Sequence, residues 1–246
     1  MKKMQIQIYD SYEEMSKAAA QVAVEIIKNR PAALICPASG DTPSGLFSEL
    51  VSQAKNGQLN VDSLNFVGLD EWLGMNGKDE GSCREYLDRQ LFRPLGISEN
   101  NICFFDGRAS DSERECEKTG AFIAKHNGID LCVLGLGLNG HIGMNEPGIS
   151  AKLHSHVATI TEETASVGQK YFSDNRKLEK GLTLGIASIL SSRQIFLLVS
   201  GSKKAEAVKK LIETNVDNNF PASYLKTHAN TTVFLDKEAA KLINLK

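Results

Sequence analysis

The chain reads as an α/β protein, a single doubly wound, Rossmann-like three-layer domain over residues 1–246 with a mostly parallel sheet. Three observations predict this. Short apolar runs alternate with segments whose apolar residues recur at helical spacing, the order that a parallel sheet covered by helices requires. The composition, 41% hydrophobic and 24% charged, is that of a globular protein able to bury a full core. Polar, glycine-containing turns follow several of the strand-like runs, which is where such sheets bind their ligands.

Each element has its own signal. Gln5 to Tyr9 reads as a strand, and Ser11-Tyr-Glu-Glu14 is a capping box opening a helix with Met15, Ala18, Ala19, Val22 and Ile26 on one face. Pro31 ends that helix, Ala32 to Cys36 is the next strand, and a helix carrying Leu46, Phe47, Leu50 and Val51 leads to a strand over Leu64 to Leu69. These make one βαβ unit. After Glu80, Tyr86, Leu87, Leu91 and Phe92 mark a helical segment, and Ser112 to Lys125 marks another before the apolar strand Ile129 to Leu136. Thr183 to Leu190 and Gln194 to Val199 are further apolar segments, the second a strand feeding a helix over Lys204 to Glu213. Thr232 to Leu235 closes the sheet before a short C-terminal helix.

Charge and cysteine usage exclude several classes of function. Lys and Arg total 28 against 30 Asp and Glu, a formal net charge of -2, so there is no basic excess for nucleic acid or an anionic membrane. No apolar stretch approaches the ~18 residues that span a bilayer. Met1 to Asp10 turns polar too soon for a signal peptide, and the expected location is cytoplasmic. The five cysteines are widely spaced, with no C-x-x-C pair and no histidine at zinc-finger spacing; they read as reduced thiols and no metal is expected. Cys36 and Cys132, inside apolar runs, read as small buried hydrophobes.

Four turns carry the candidate chemistry. In Leu134-Gly-Leu-Gly-Leu-Asn-Gly-His-Ile-Gly-Met-Asn-Glu-Pro147, an amide, an imidazole and a carboxylate (Asn139, His141, Glu146) are interleaved with glycines directly after a strand. The same segment matches G-x-G-x-x-G at Gly135, Gly137 and Gly140, but two more glycines and a proline follow where a dinucleotide site needs a helix. No nicotinamide or flavin is expected. Cys36 to Gly45 holds Ser39, Gly40, Asp41 and Thr42, with Thr42 placed to cap a helix and Pro43 suited to its first turn; such a helix start attracts a phosphate. Asp70 and Glu71 stand at a strand end beside the single tryptophan, Trp72, and a carboxylate desolvated against an aromatic can act as a base. In Leu198 to Ala205, Ser202 is a candidate cap and Lys203 and Lys204 fall in the first helical turn, an unfavourable place for a cation unless an anion lies between it and the helix start.

Taken together, Asp70-Glu71 after a strand, Gly140-His141-Ile142 with Asn145-Glu146-Pro147, and Gly201-Ser-Lys-Lys204 resemble the glucosamine-6-phosphate deaminase family, which shares its fold with the 6-phosphogluconolactonases; the likeness runs in order from about Ile35 to His228. The resemblance implies conversion of glucosamine 6-phosphate and water to fructose 6-phosphate and ammonia by aldose–ketose isomerisation, without a cofactor. It implies Asp70 as the base that moves a proton from C2 to C1, and His141 as the group that opens the pyranose ring, oriented by Glu146 and Asn139. It implies phosphate binding by Ser39, Gly40, Asp41, Thr42 and Lys204, and by Lys170 where the family commonly has arginine. Two departures stand out: Asn139 replaces an aspartate found in many members, and Asp41 replaces a glycine. The segment after Pro147 lacks the arginines of the allosteric site of hexameric members, so an unregulated monomer or small homo-oligomer is implied. Galactosamine 6-phosphate, differing only at C4, is the alternative substrate. A lactonase would instead follow Gly-His with a Thr-Ala-Ser-Leu-Phe-Pro type of sequence, and a non-catalytic sugar-phosphate sensor is supported only by Asn139 and Asp41.

Overall fold

The computed structural model describes residues 4–244; residues 1–3, part of the stretch read above for a signal peptide, lie outside it. In chain order the elements are β1 (Gln5–Tyr9), α1 (Tyr12–Asn29), β2 (Leu34–Pro37), α2 (Asp41–Lys55), β3 (Asn65–Val67), β4 (Asp70–Trp72), α3 (Cys83–Leu87), α4 (Arg93–Leu95), β5 (Ile102–Cys103), α5 (Ser112–Lys125), β6 (Leu131–Leu134), β7 (Ser155–Thr159), α6 (Glu162–Gly168), β8 (Lys180–Leu184), α7 (Ile186–Leu190), β9 (Gln194–Val199), α8 (Ala205–Glu213), β10 (Thr231–Asp236) and α9 (Lys237–Ala240). Seven strands form one sheet in the order β1-β10-β9-β6-β2-β3-β5, with every neighbouring pair parallel.

The layers follow from the alternation of side chains along each strand. Phe66, Leu131, Val133, Phe196 and Phe234 point to one face, against Met15, Ala19, Ala23 and Ile27 of α1 and Leu46, Phe47 and Leu50 of α2. Val67, Cys132, Leu134, Leu197 and Leu235 point to the other, against Ile186 and Ile189 of α7, Val208 and Leu211 of α8 and Ala239 of α9. Each Leu, Ile or Phe removed from water on these faces contributes about 1.5–3 kcal/mol. Cys36 and Cys132 are buried and face each other as register partners on β2 and β6. Among the described residues no helix is long and apolar enough to cross a membrane.

The structure adjusts several expectations. Helix α1 begins at the predicted cap, where Ser11 accepts the Glu14 N–H, but the Glu14 carboxylate reaches back to the Asp10 N–H rather than to that of Ser11. Its buried face is rotated from the one expected: Ala20, Ala23, Val24 and Ile27 are inside and Val22 is exposed, because a run of alanines gives no sharp stripe. The helical segment after Glu80 is α3 and α4 joined by a π-helical turn over Asp88–Phe92. The apolar segment Thr183 to Leu190 divides into the end of β8 and helix α7.

The largest correction is a second sheet. Strands β4, β8 and β7 form a three-stranded antiparallel sheet, so Asp70 and Glu71 lie on a strand and not in a loop. This sheet is tied to the turn after β6 by two polar side chains. Buried Asn145 donates through Nδ2 to the carbonyls of Ile142 and Leu184, both at 2.8 Å, and the Thr183 hydroxyl accepts the Met144 N–H at 3.1 Å.

Candidate active site

In the seven-stranded sheet the chain runs outward from β2 through β3 to β5, then returns to the other side of β2 at β6. The crevice between the carboxyl ends of β2 and β6 is therefore the topological switch point, where doubly wound sheets hold ligands. A cavity of about 690 Å³ opens there. The turn after β2, the turn after β6, the loop after β9, strand β4 and the segment joining β7 to β8 all line it.

The turn after β2 reaches the cavity through Ser39, Gly40, Asp41 and Thr42. Gly40, not Thr42, is the cap residue of α2, and it turns the chain with φ 116°, a conformation that disfavours any residue with a Cβ. The helix thus starts two residues earlier, at Asp41, than Thr42 capping would place it. Gly40 brings no side chain to cap the first N–H groups, and the Tyr171 hydroxyl lies against the N–H of Asp41.

After β6, Gly137 and the His141 carbonyl close the turn by a 2.9 Å backbone hydrogen bond, and a Cβ on Gly137 would fall 2.2 Å from the His141 ring. That close approach explains a glycine of the G-x-G-x-x-G match without a dinucleotide. No helix opens at Gly140; the chain makes an isolated bridge between Ile142 and Asn145.

The His141 ring is held through Nδ1, which lies 2.8 Å from Asn139 Oδ1 and 3.1 Å from the Thr164 hydroxyl. Asn139 Nδ2 donates to Glu146 Oε2 at 2.7 Å. Since a carboxylate only accepts, the amide orientation is dictated: Oδ1 faces the ring, Nδ1 carries the proton and Nε2 is left as the basic nitrogen. Glu146 itself is buried behind Asn139 and does not line the cavity. Its Oε2 also accepts from the Thr161 hydroxyl at 3.2 Å and stands 3.9 Å from His141 Nδ1. Burial holds the imidazole below its ordinary pKa, with the Glu146 carboxylate pulling upward and the Lys204 ammonium adding to the depression.

The adjacent carboxylates of β4 have opposite surroundings. Glu71, fully buried, accepts the N–H groups of Trp72, Cys83 and Arg84 and the Ser82 hydroxyl, all within 3.0 Å. It ties β4 to the start of α3, and burial pushes it up to about 7 against those four donors. Because every partner donates, the charged form is the one this arrangement is built to hold. Asp70 lines the cavity beside Trp72. It is 8% exposed, and burial pushes its carboxyl up to about 6, with a contact from Cys83 opposing.

Three lysines line the cavity: Lys170, Lys203 and Lys204. Gly201, with φ 89°, and a 3-10 turn over Ser202–Lys204 precede α8, so Ser202 does not cap that helix. Lys204 Nζ donates to the Leu136 carbonyl at 2.6 Å, next to the turn of His141. Lys170 sits at the edge, paired with Asp41 Oδ2 at 2.6 Å. Residues that sequence reasoning missed come from the β7–β8 connection, chiefly Thr164, Glu163 and Tyr171, and from Ser82 and Cys83. The hydroxyls of Thr161 and Thr164 carried a legible signal only in part: Thr161 caps α6 by accepting the Thr164 N–H. Among the described residues, no group of three or more His, Cys, Asp or Glu side chains could hold a metal ion.

Comparison with known proteins gives a consistent picture. Residues 9–234 match the family model described as glucosamine-6-phosphate isomerases/6-phosphogluconolactonase. A glucosamine-6-phosphate deaminase of Clostridium botulinum (strain Langeland) is 40% identical over 245 residues, covering 99% of this chain and all of the relative. Glucosamine-6-phosphate deaminase 1 of Bacillus subtilis (strain 168) is 39% identical over 240 residues, with 97% and 99% covered. A solved structure of a monomeric glucosamine-6-phosphate deaminase superposes with a TM-score of 0.94 at 38% identity, covering 98% of this chain and 100% of that one. The 6-phosphogluconolactonase of Trypanosoma brucei, at 22% identity and a TM-score of 0.81 over 99% of this chain and 100% of that one, shares the fold.

Proposed function

Because the chain belongs to the glucosamine-6-phosphate isomerase/6-phosphogluconolactonase family, we propose that it is a glucosamine-6-phosphate deaminase, converting glucosamine 6-phosphate and water to fructose 6-phosphate and ammonia without a cofactor. The observation that carries this reading is a buried carboxyl, Asp70, sharing one cavity with His141 and Lys204. With its pKa pushed up to about 6, Asp70 is basic enough to take the C2 proton and acidic enough to return it to C1 near neutral pH. His141, unprotonated at Nε2, moves a proton between the anomeric hydroxyl and the ring oxygen to open the pyranose. Asn139 holds the ring in that tautomer, and Glu146 supplies through it the negative charge that an amide lacks.

The phosphate is held by Lys204, by Lys170 and by the backbone of Ser39, Gly40, Asp41 and Thr42 at the start of α2. Binding energy gathered there, away from the reacting carbons, fixes C1 and C2 under Asp70. We read residues 1–246 as one catalytic domain, monomeric like its 38%-identical structural relative and cytoplasmic, with a small-molecule amino-sugar phosphate as its partner and neither nucleic acid nor membrane.

The test is direct. Glucosamine 6-phosphate, galactosamine 6-phosphate and 6-phosphogluconolactone are offered in turn, and ammonia release or lactone loss is measured. Ammonia from glucosamine 6-phosphate is expected; lactone loss alone would sink the proposal. Asp70→Asn should abolish exchange of the C2 proton with solvent, and unchanged exchange would remove Asp70 from the role.

A further inference from the structure

The two lysines assigned to the phosphate are not equivalent. Lys204 Nζ has a neutral partner, the Leu136 carbonyl. Lys170 Nζ is paired with a carboxylate, Asp41 Oδ2 at 2.6 Å, a contact that spans 129 residues of sequence and joins the first residue of α2 to the 3-10 turn Gln169–Tyr171. The pair rests on two tyrosines. The Lys170 ammonium lies 4.8 Å from the centre of the Tyr171 ring, which stacks edge-on against Tyr86 at 5.6 Å, and the Tyr86 hydroxyl is 3.5 Å from Asp41 Oδ1. The geometry is defined, yet both charges stay in contact with solvent, with side chains 49% and 67% exposed.

An exposed pair of this kind is held weakly. Asp41 is also the first residue of α2, where the helix dipole draws negative charge. One carboxylate therefore serves both electropositive elements at this side of the cavity, the Lys170 ammonium and the start of α2. A phosphate dianion arriving at the same elements carries twice the charge of Asp41 and lies well within a Debye length of it.

Building on the deaminase reading, we propose that Asp41 sets the affinity for the substrate's phosphate by competing with it for Lys170 and the start of α2. The opposite role, in which Asp41 improves binding by holding Lys170 in place, is disfavoured by magnitude: solvent weakens both effects at this exposed pair, but the repulsion acts on a dianion of twice the charge, whereas an exposed ion pair pre-organises weakly. The two roles give opposite signs in one measurement.

That measurement is the dissociation constant of inorganic phosphate by calorimetry, together with KM for glucosamine 6-phosphate. It is made on the wild type, Asp41→Asn, Lys170→Ala, their double variant and Lys204→Ala. Asp41→Asn should tighten phosphate and lower KM about three- to ten-fold at low ionic strength, an advantage that fades toward roughly 0.5 M salt. The gain should shrink in the Lys170→Ala background. Weaker or unchanged phosphate binding in Asp41→Asn, or a full gain without Lys170, would overturn the inference. Its failure is separable from that of the function: if Lys204→Ala weakens phosphate binding and the wild type turns over substrate, the deaminase reading stands with Asp41 removed from this role. A wild type that neither binds phosphate nor releases ammonia would overturn the deaminase reading itself.

Discussion

The seven-stranded parallel sheet and the three-stranded antiparallel sheet contribute different things to one cavity. The parallel sheet supplies backbone: strand ends, glycine turns and the helix start at Gly40, all fixed by a core of fully buried Leu, Ile, Val and Phe on both faces. The small sheet supplies Asp70, and its β7–β8 connection supplies Thr164, Lys170 and Tyr171. The parallel sheet thus brings the start of α2, His141 and Lys204 to the cavity, while Asp70 comes from a strand only three residues long and Lys170 from the segment between β7 and β8. Such a strand holds its place through hydrogen bonds to neighbours, of which the Glu71 cluster is the densest.

That contrast is most easily broken at Glu71. Glu71→Ala leaves four neutral donors without their acceptor in a buried site, and each one left unsatisfied costs about 1–3 kcal/mol. Denaturant unfolding should show that loss, with activity disappearing alongside it. A variant as stable as the wild type would mean that β4 is held by something other than these bonds.

Next in size is a gain. Asp70 has its carboxyl raised from 3.8 to about 6, so the folded state binds more protons than the unfolded one between those values, and the group's contribution to stability falls as pH rises through that window. At pH 8 the burden is about 2 pKa units, or roughly 3 kcal/mol, and at pH 5 it is roughly half as large. Asp70→Asn should therefore be more stable than the wild type at pH 8, by an amount that shrinks toward pH 5, while kcat falls by roughly 10²–10⁴. An equal stability change at both pH values would contradict the burial argument. Wild-type kcat/KM should fall as pH drops through about 6, where Asp70 takes up its proton.

The parallel sheet is probed by Lys204→Ala. If Lys204 holds the phosphate as proposed, removing this cation should raise KM by roughly 10–100-fold with a much smaller change in kcat. A fall in kcat alone would merge the two halves of the comparison. The smallest effect is expected from Asn139→Asp. A carboxylate 2.8 Å from Nδ1 in place of the amide favours the imidazolium, so the His141 pKa, now depressed, should rise by about one unit in an NMR titration. No movement would show that Glu146 already saturates the ring's electrostatic partner.

Much of this was legible in the residues, for identifiable reasons. The central strands of the large sheet are buried on both faces and so are written as unbroken apolar runs such as Leu131 to Leu134 and Ile195 to Val199. The glycine-rich turn is legible because the polar side chains Asn139 and His141 lie among Gly137, Gly140 and Gly143 directly after an apolar strand. The small sheet was illegible. Asp-Glu-Trp and Ser-His-Val-Ala-Thr carry no apolar alternation, and they become strands only by pairing with β8. The cap of α2 was misplaced for a similar reason: Thr42 has the right side chain, but the φ of Gly40, set by the turn it must make toward the cavity, starts the helix earlier.

By itself, then, the order of residues determined the layered α/β architecture and which turns stand at the carboxyl ends of its strands, since hydrophobic period and turn chemistry are local properties. Only the tertiary structure decided that Asp70 and Glu71, adjacent in the chain, part into a cavity carboxyl and a buried tie, that Glu146 acts on His141 through Asn139, and that Lys170 is shared with Asp41. Each of those depends on which groups desolvate or neutralise one another across distant segments, and burial and charge pairing are set by the packed molecule as a whole.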